Sequence, residues 1–257
     1  MATILFAFNF ITNGNIFYAL PFLELFPDYN CPINEPDCGP SDHCRDPNRY
    51  PIDWNSTKSL HNWVEVYHLE CEKPYRIALL GSVYFIGEVL FTVLVTRLGD
   101  VYGRKWVCWI CSALSVPIQL GFLLSTNLTF TIALFFLLGA CTPGKLHISF
   151  VYLTELVPER YRTAVGTVIL FSDASTMAWQ TLYFRLVTKE WIYFQILSLV
   201  MNIIAVLGIL FLIPESPKYQ HAVGKIEECQ KNMQYIAKVN GKGMKEIEEI
   251  KIMEMKE

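Results

Sequence analysis

Four ionisable side chains, Glu88, Lys145, His147 and Asp173, stand inside stretches that are otherwise apolar. A charge in hydrocarbon is costly unless it is paired or wetted, so such residues face a cavity or one another by default. Asp173 lies among Ser172, Ser175 and Thr176, a setting suited to a cationic group, and Trp179, Tyr183 and Tyr84 offer aromatic walls for a cation–π contact. Lys145 and His147, beside Pro143 and Gly144, suit an anion or balance Asp173. Two readings of these residues stand together, an internal ion pair between Asp173 and Lys145 and a contact with substrate. The histidines (His43, His61, His68, His147, His221) are scattered, none with a paired ligand or nucleophile at useful spacing, so neither a catalytic nor a metal site is expected. No phosphate loop or nucleotide fingerprint occurs, which leaves ATP-driven pumping unsupported and implies no cofactor.

A second polar cluster lies in the short gap from Thr96 to Lys105, where Asp100 and two glycines, Gly99 and Gly103, accompany Arg97, Arg104 and Lys105. Apolar runs flank it on both sides, so the chain is expected to turn there at a membrane surface, and the cations place that surface on the cytoplasmic side. Gly99 and Gly103 are expected to allow a tight turn, Asp100 to cap a helix or pair with a cation, and Arg104 and Lys105 to meet phosphate headgroups.

The elements that position these residues follow from hydropathy. Apolar residues make up 53% of the chain and charged residues only 18%, and the mean hydropathy is positive, a balance of a multi-pass membrane protein in a plasma or organelle membrane. The net charge of -3, with bases in short clusters, carries no nucleic-acid signal. Apolar runs long enough to span occur at roughly 2–26, 77–97, 106–124, 130–154, 164–187 and 191–213. The chain thus divides into a first transmembrane helix (1–27), a Cys-rich polar loop (28–76), helices two to six (77–213) and a cytoplasmic segment (214–257). The first run lacks a basic leader and a cleavage site, so it is read as a retained span.

In the loop, acids outnumber bases, which places it away from the cytoplasm, where disulfides persist. Cys31, Cys38, Cys44 and Cys71 suggest two bridges, with three pairings open. Of two glycosylation sequons, at Asn55 and Asn127, only Asn55 stands clear of the bilayer. Cys108 and Cys111 share one face of an apolar helix and read as small packing residues. Beyond residue 224, apolar positions Ile226, Cys229, Met233 and Ile236, then Ile247, Ile250 and Met253, recur among Lys and Glu and predict short amphipathic helices.

Several motifs share one order: the helix end Leu20-Pro21-Phe22-Leu23-Glu24-Leu25-Phe26-Pro27 before a Cys-bearing loop; Asp100-x-x-Gly103-Arg104-Lys105; Tyr152-x-x-Thr154-Glu155 leading to Tyr161-Arg162-Thr163; Pro214-Glu215-Ser216-Pro217-Lys218-Tyr219; and Ala237-Lys238-Val239-Asn240-Gly241. In this the chain resembles the N-terminal half of a major facilitator superfamily transporter, most like the organic cation and anion transporters. The resemblance implies an all-α six-helix bundle, half of the facilitator fold, with an extra-cytoplasmic Cys-rich loop. It also implies a cytoplasmic charge network of Asp100, Gly103, Arg104, Lys105, Glu155, Arg162 and Glu215. The chain departs from the family pattern at Thr96 (usually Gly), Val101 (usually basic) and Phe135 (often Arg). Facilitators bind substrate between two six-helix halves, so the expected partners are lipid, a small organic ion, and a second six-helix half, a second copy or a larger membrane complex. The expected function is transport of a small organic ion. The alternative is a non-transporting subunit of a membrane assembly, for instance a respiratory one.

Overall fold

A computed structural model of the protein describes residues 2–33 and 37–241; the positions Ile247, Ile250 and Met253 lie outside the described residues. Helix α1 (Ala2–Phe17) is prolonged by the single turn α2 (Leu20–Leu23). The polar loop holds two short helices, α3 (Pro40–Arg45) and α4 (Trp63–Tyr67). The long helices follow: α5 (Pro74–Tyr102), α6 (Arg104–Leu124) and α7 (Leu128–Thr142), which runs through a π turn (Pro143–Ile148) into α8 (Ser149–Leu156). Then come α9 (Glu159–Leu186), α10 (Trp191–Leu212), and the shorter α11 (Pro217–Ala222) and α12 (Ile226–Val239).

Among the described residues, five helical segments are long and apolar enough to span a bilayer: Ala2–Leu23, Pro74–Tyr102, Arg104–Leu124, Leu128–Leu156 and Trp191–Leu212. The sixth expected span, 164–187, falls in α9, which has the length at 28 residues but is diluted by Ser, Thr, Asp173 and Gln180. The reason lies in packing. Gln180 Nε2 donates to the Asn15 carbonyl at 2.8 Å and Thr176 is buried, so part of the polar content of α9 is spent on α1. Helix α1 packs against α9 and α10, α5 against α7, and α6 against α10, completing an all-α six-helix membrane bundle.

The loop is folded onto the outer end of this bundle. Cys31 bridges Cys38 and Cys44 bridges Cys71, resolving the pairing that spacing left open. His61 N–H donates to the Lys189 carbonyl at 3.1 Å, tying the loop to the turn between α9 and α10. Trp63, on α4, is buried and meets Phe122, Phe135 and Trp191 at ring-centroid distances of 5.8–6.0 Å. Phe135, at the position where the family pattern often has Arg, is thus a core aromatic. Asn55 is exposed, whereas Asn127 caps α7 by accepting from Thr129 N–H at 2.9 Å.

Helices α5 and α7 approach closely at two glycines. A Cβ on Gly139 would strike the Tyr84 carbonyl oxygen, and one on Gly87 the Phe136 carbonyl oxygen, so neither neighbour yields without moving backbone. Small residues are what allow such crossings where lipid supplies no hydrophobic drive. Gly139→Val is expected to destabilise the bundle by about 1–3 kcal/mol as an overpacked core does. Gly81→Ala, whose Cβ would find Leu20 Cδ1 at 3.9 Å, should leave thermal unfolding in detergent unchanged or raised.

Candidate functional site

Among the described residues, two polar assemblies occupy the bundle, one halfway along the helices and one at the end opposite the Cys-rich loop. The first is a cleft of about 150 Å³ lined by Asn13, Gly14, Phe17, Tyr18, Tyr84, Phe85, Glu88, Leu146 and Asp173. Glu88 and Asp173 each lie near the middle of their helices, α5 and α9. Tyr18 Oη donates to Asp173 Oδ2 at 3.2 Å, and Asn13 Nδ2 donates to the Tyr84 hydroxyl at 3.2 Å, which also lies 3.0 Å from Thr142 Oγ1. Phe17 stacks on Tyr84 with centroids 4.9 Å apart, and Phe85 stands edge-on to both. Gly14 makes room for the carboxylate: a Cβ there would lie 2.8 Å from Asp173 Oδ1. Acidic oxygens among aromatic faces suit a cation.

The expected pairing of Asp173 with Lys145 does not occur. Lys145 lies in the π turn, and its Nζ, fully buried, donates to Ser115 Oγ (3.2 Å) and Asn202 Oδ1 (3.3 Å). His147 instead approaches Glu88, with Nε2 3.6 Å from Oε1, at the edge of a crevice it shares with Thr96, Asp100 and Arg104. Of the aromatic walls expected, Tyr84 lines the cleft. Tyr183 does not, since its hydroxyl donates to the Glu190 carbonyl at 2.9 Å near the outer end of α9, and Trp179 points outward, exposed and away from the cleft. Asn13, Gly14 and Tyr18 escape the sequence reading, although asparagines in an apolar helix and the i, i+4 spacing of Gly14 and Tyr18 are a signal for a shared polar face.

At the end opposite the Cys-rich loop, Arg104 pairs with Asp100 at 2.9 Å and with Glu155 at 3.6 Å, donates to the Gly99 carbonyl at 3.0 Å, and lies over the Tyr219 ring at 5.3 Å. Ser216 donates its hydroxyl to Glu155. Glu215 accepts from the backbone N–H groups of Lys105 and Ser216, both at 2.9 Å, and so caps the first turn of α6. Burial pushes the Glu215 carboxyl above its ordinary value, against those N–H donors and the Lys105 charge, which favour the ionised form. The turn itself corrects one expectation. Helix α5 continues through Gly99, which is buried against Ile148, and only Gly103, at φ 107, breaks the chain before α6. Arg162 corrects another, because it bonds Glu159 at 3.0 Å within its own helix and the Val157 carbonyl, and takes no part in the Arg104 cluster.

Gly103 therefore carries two demands, since its φ is one that L side chains rarely adopt and a Cβ would collide with the Glu215 carboxylate. Gly103→Ala is expected to cost more than about 1 kcal/mol, and Glu215→Ala about 1 kcal/mol through the lost cap. The double variant should cost less than the sum of the two in a thermal-unfolding cycle, because the collision disappears with the carboxylate.

The family model described as Major Facilitator Superfamily matches residues 2–253. Solute carrier family 22 member 15 of Xenopus tropicalis is 28% identical over 74% of this chain and 34% of its own length. Organic cation/carnitine transporter 2 of Homo sapiens is 25% identical over 69% of this chain and 32% of its own. For solute carrier family 22 member 2 of Rattus norvegicus the values are 24%, 89% and 50%. The chain thus spans a third to a half of the length of these relatives. Among solved structures, the partially occluded inward-open xylose transporter XylE of E. coli superposes on 97% of this chain and 57% of its own with a TM-score of 0.59 at 14% identity, a likeness of fold. With the motifs, the six-helix arrangement and a model match over nearly its full length, the chain belongs to the Major Facilitator Superfamily.

Proposed function

We propose that this chain forms one six-helix half of a facilitator that moves a small organic cation across a membrane, working with a second six-helix half. The observation that carries this reading is the mid-helix cleft, in which Asp173 and Glu88 supply negative charge and Tyr18, Tyr84, Phe17 and Phe85 supply aromatic surface. Its relatives, organic cation/carnitine transporters among them, agree with a cationic substrate. A broad apolar exterior on α5 and α9, including Val89, Val93, Phe171 and Trp179, supports lipid and a second half as the surroundings. In this reading the Asp100, Arg104, Glu155, Ser216 and Glu215 cluster latches the cytoplasmic ends of the helices together. It would then part when the cleft opens toward the cytoplasm.

One observation favours a second reading, that of a non-transporting subunit of a membrane assembly: the arginine of the family pattern is replaced by the buried Phe135, so a charge is absent from the bundle there. Uptake and binding separate the two. Proteoliposomes containing the protein together with its second six-helix half should take up a radiolabelled alkylammonium, and Asp173→Asn should lower both binding and uptake at least about tenfold, the loss of a charge-assisted hydrogen bond. Unchanged binding in Asp173→Asn removes that residue from the site, and migration only within a stoichiometric larger assembly, without uptake, favours the subunit.

A further inference from the structure

We propose that His147 sets how many charges the mid-helix cleft accepts on its cation. Protonated, it pairs with Glu88 and leaves Asp173 to hold a singly charged ammonium; neutral, it leaves both carboxylates open to a diammonium ion. The inference rests on the cation reading of the same site. His147 is not among the residues lining the cleft and acts through Glu88, so it is a positioning residue.

Glu88 and Asp173 line one cleft, and both carboxylate charges act on the Tyr84 hydroxyl. Among the described residues, His147 is the one basic side chain within 4.0 Å of either carboxylate, with Nε2 3.6 Å from Glu88 Oε1. The other cations of the region are spent elsewhere, Lys145 on Ser115 and Asn202 and Arg104 on Asp100 and Glu155. Asp173 accepts from the Tyr18 hydroxyl and meets no cation. The backbone holds this arrangement: Gly87, next to Glu88, packs on the Phe136 carbonyl, and His147 lies in the π turn that continues α7. The crossing of α5 and α7 thus sets the two side chains against each other. His147 is half exposed and borders the crevice of Thr96, Asp100 and Arg104, so a proton reaches it from outside the cleft.

The charged and titratable groups that face the pair are Asp173 on α9, Tyr18 on α1, Tyr84 on α5, and Asp100 and Arg104 across the crevice. Of these, Asp173 alone carries a charge that no basic group answers. A charge removed from water is costly until one of opposite sign meets it. With Glu88 answered by His147, one ammonium completes the balance and a second positive charge stands unpaired. With His147 neutral, one ammonium leaves a carboxylate unanswered and a diammonium ion answers both. Histidine is the side chain whose charge changes between about pH 5 and 8.

Butylammonium and butanediammonium share a carbon chain and differ by one charge; ethane- and hexanediammonium vary the reach. In calorimetric titrations of the purified protein in nanodiscs, the affinity of the best diammonium ion relative to butylammonium should rise at least about tenfold from about pH 5 to about pH 8. His147→Gln should hold the high ratio at both pH values. His147→Lys, with a permanent charge, and Glu88→Gln, with one carboxylate fewer, should hold the low one. The profile of the unaltered protein decides the matter even where a variant fails to fold. A ratio that does not change with pH, or that changes as much in His147→Gln, overturns the inference and leaves the cation reading intact. Loss of butylammonium binding in folded Glu88→Gln also overturns it, because that ion is assigned to Asp173. Binding of none of the ions by the unaltered protein overturns both readings at once.

Discussion

Hydrocarbon offers a polar group no water, so every such group within a span must be answered by another part of the protein. That constraint places α1 at the centre of this bundle. Asn9 donates to the Lys145 carbonyl (2.8 Å) and to Ser149 (3.1 Å) and accepts from Ser112 (2.9 Å). Gln119 reaches the Thr12 carbonyl at 3.2 Å and Gln180 the Asn15 carbonyl at 2.8 Å. The helix is thus pinned by side chains from α6, α8 and α9 in turn. Its polar residues, which weaken it as an apolar span, specify which helices surround it.

The same rule gives meaning to the places where it is not met. Around Lys145 the polar groups close on one another: Ser115 and Asn202 hold the ammonium, and Asn202 in turn donates to Ser115 and Gln119. Around Asp173 they do not close, and that side is hollow. A closed network fixes helices relative to each other, and an open one leaves binding capacity. The two ionisable residues that the sequence marks as equivalent therefore divide into a structural site and a candidate substrate site.

Much of this was legible before any coordinates. Long apolar runs announce the helices because a span needs about twenty such residues. The pairing of Asp100 and Arg104 follows from i, i+4 spacing once α5 is known to run on toward Gly103. The oxidised state of Cys31, Cys38, Cys44 and Cys71 follows from loop charge. What was not legible depends on how each helix is rotated about its axis. Asp173 meets Tyr18 and not Lys145 because α9 turns that face to α1, and no local spacing encodes such a rotation. Trp179 and Tyr183 were drawn to the cleft by their chemistry, yet lie on other faces or at another depth of the same helix. Gly99 reads as a turn former, but packing against Ile148 keeps it helical.

The π turn at Pro143–Ile148 bears on how the α7–α8 rod can evolve. Before it the rod is keyed to α5 through Gly139, and after it to the Arg104 cluster through Glu155. Each α-helical residue contributes about 100° of rotation, so the added residue of a π turn offsets the phase of one half from that of the other. Trimming it to an ordinary α turn would keep the outer crossing in register while swinging Glu155 off Arg104 and Ser216. The wide turn thus works as a phase adjuster, letting two contact surfaces with different angular requirements coexist on one continuous helix.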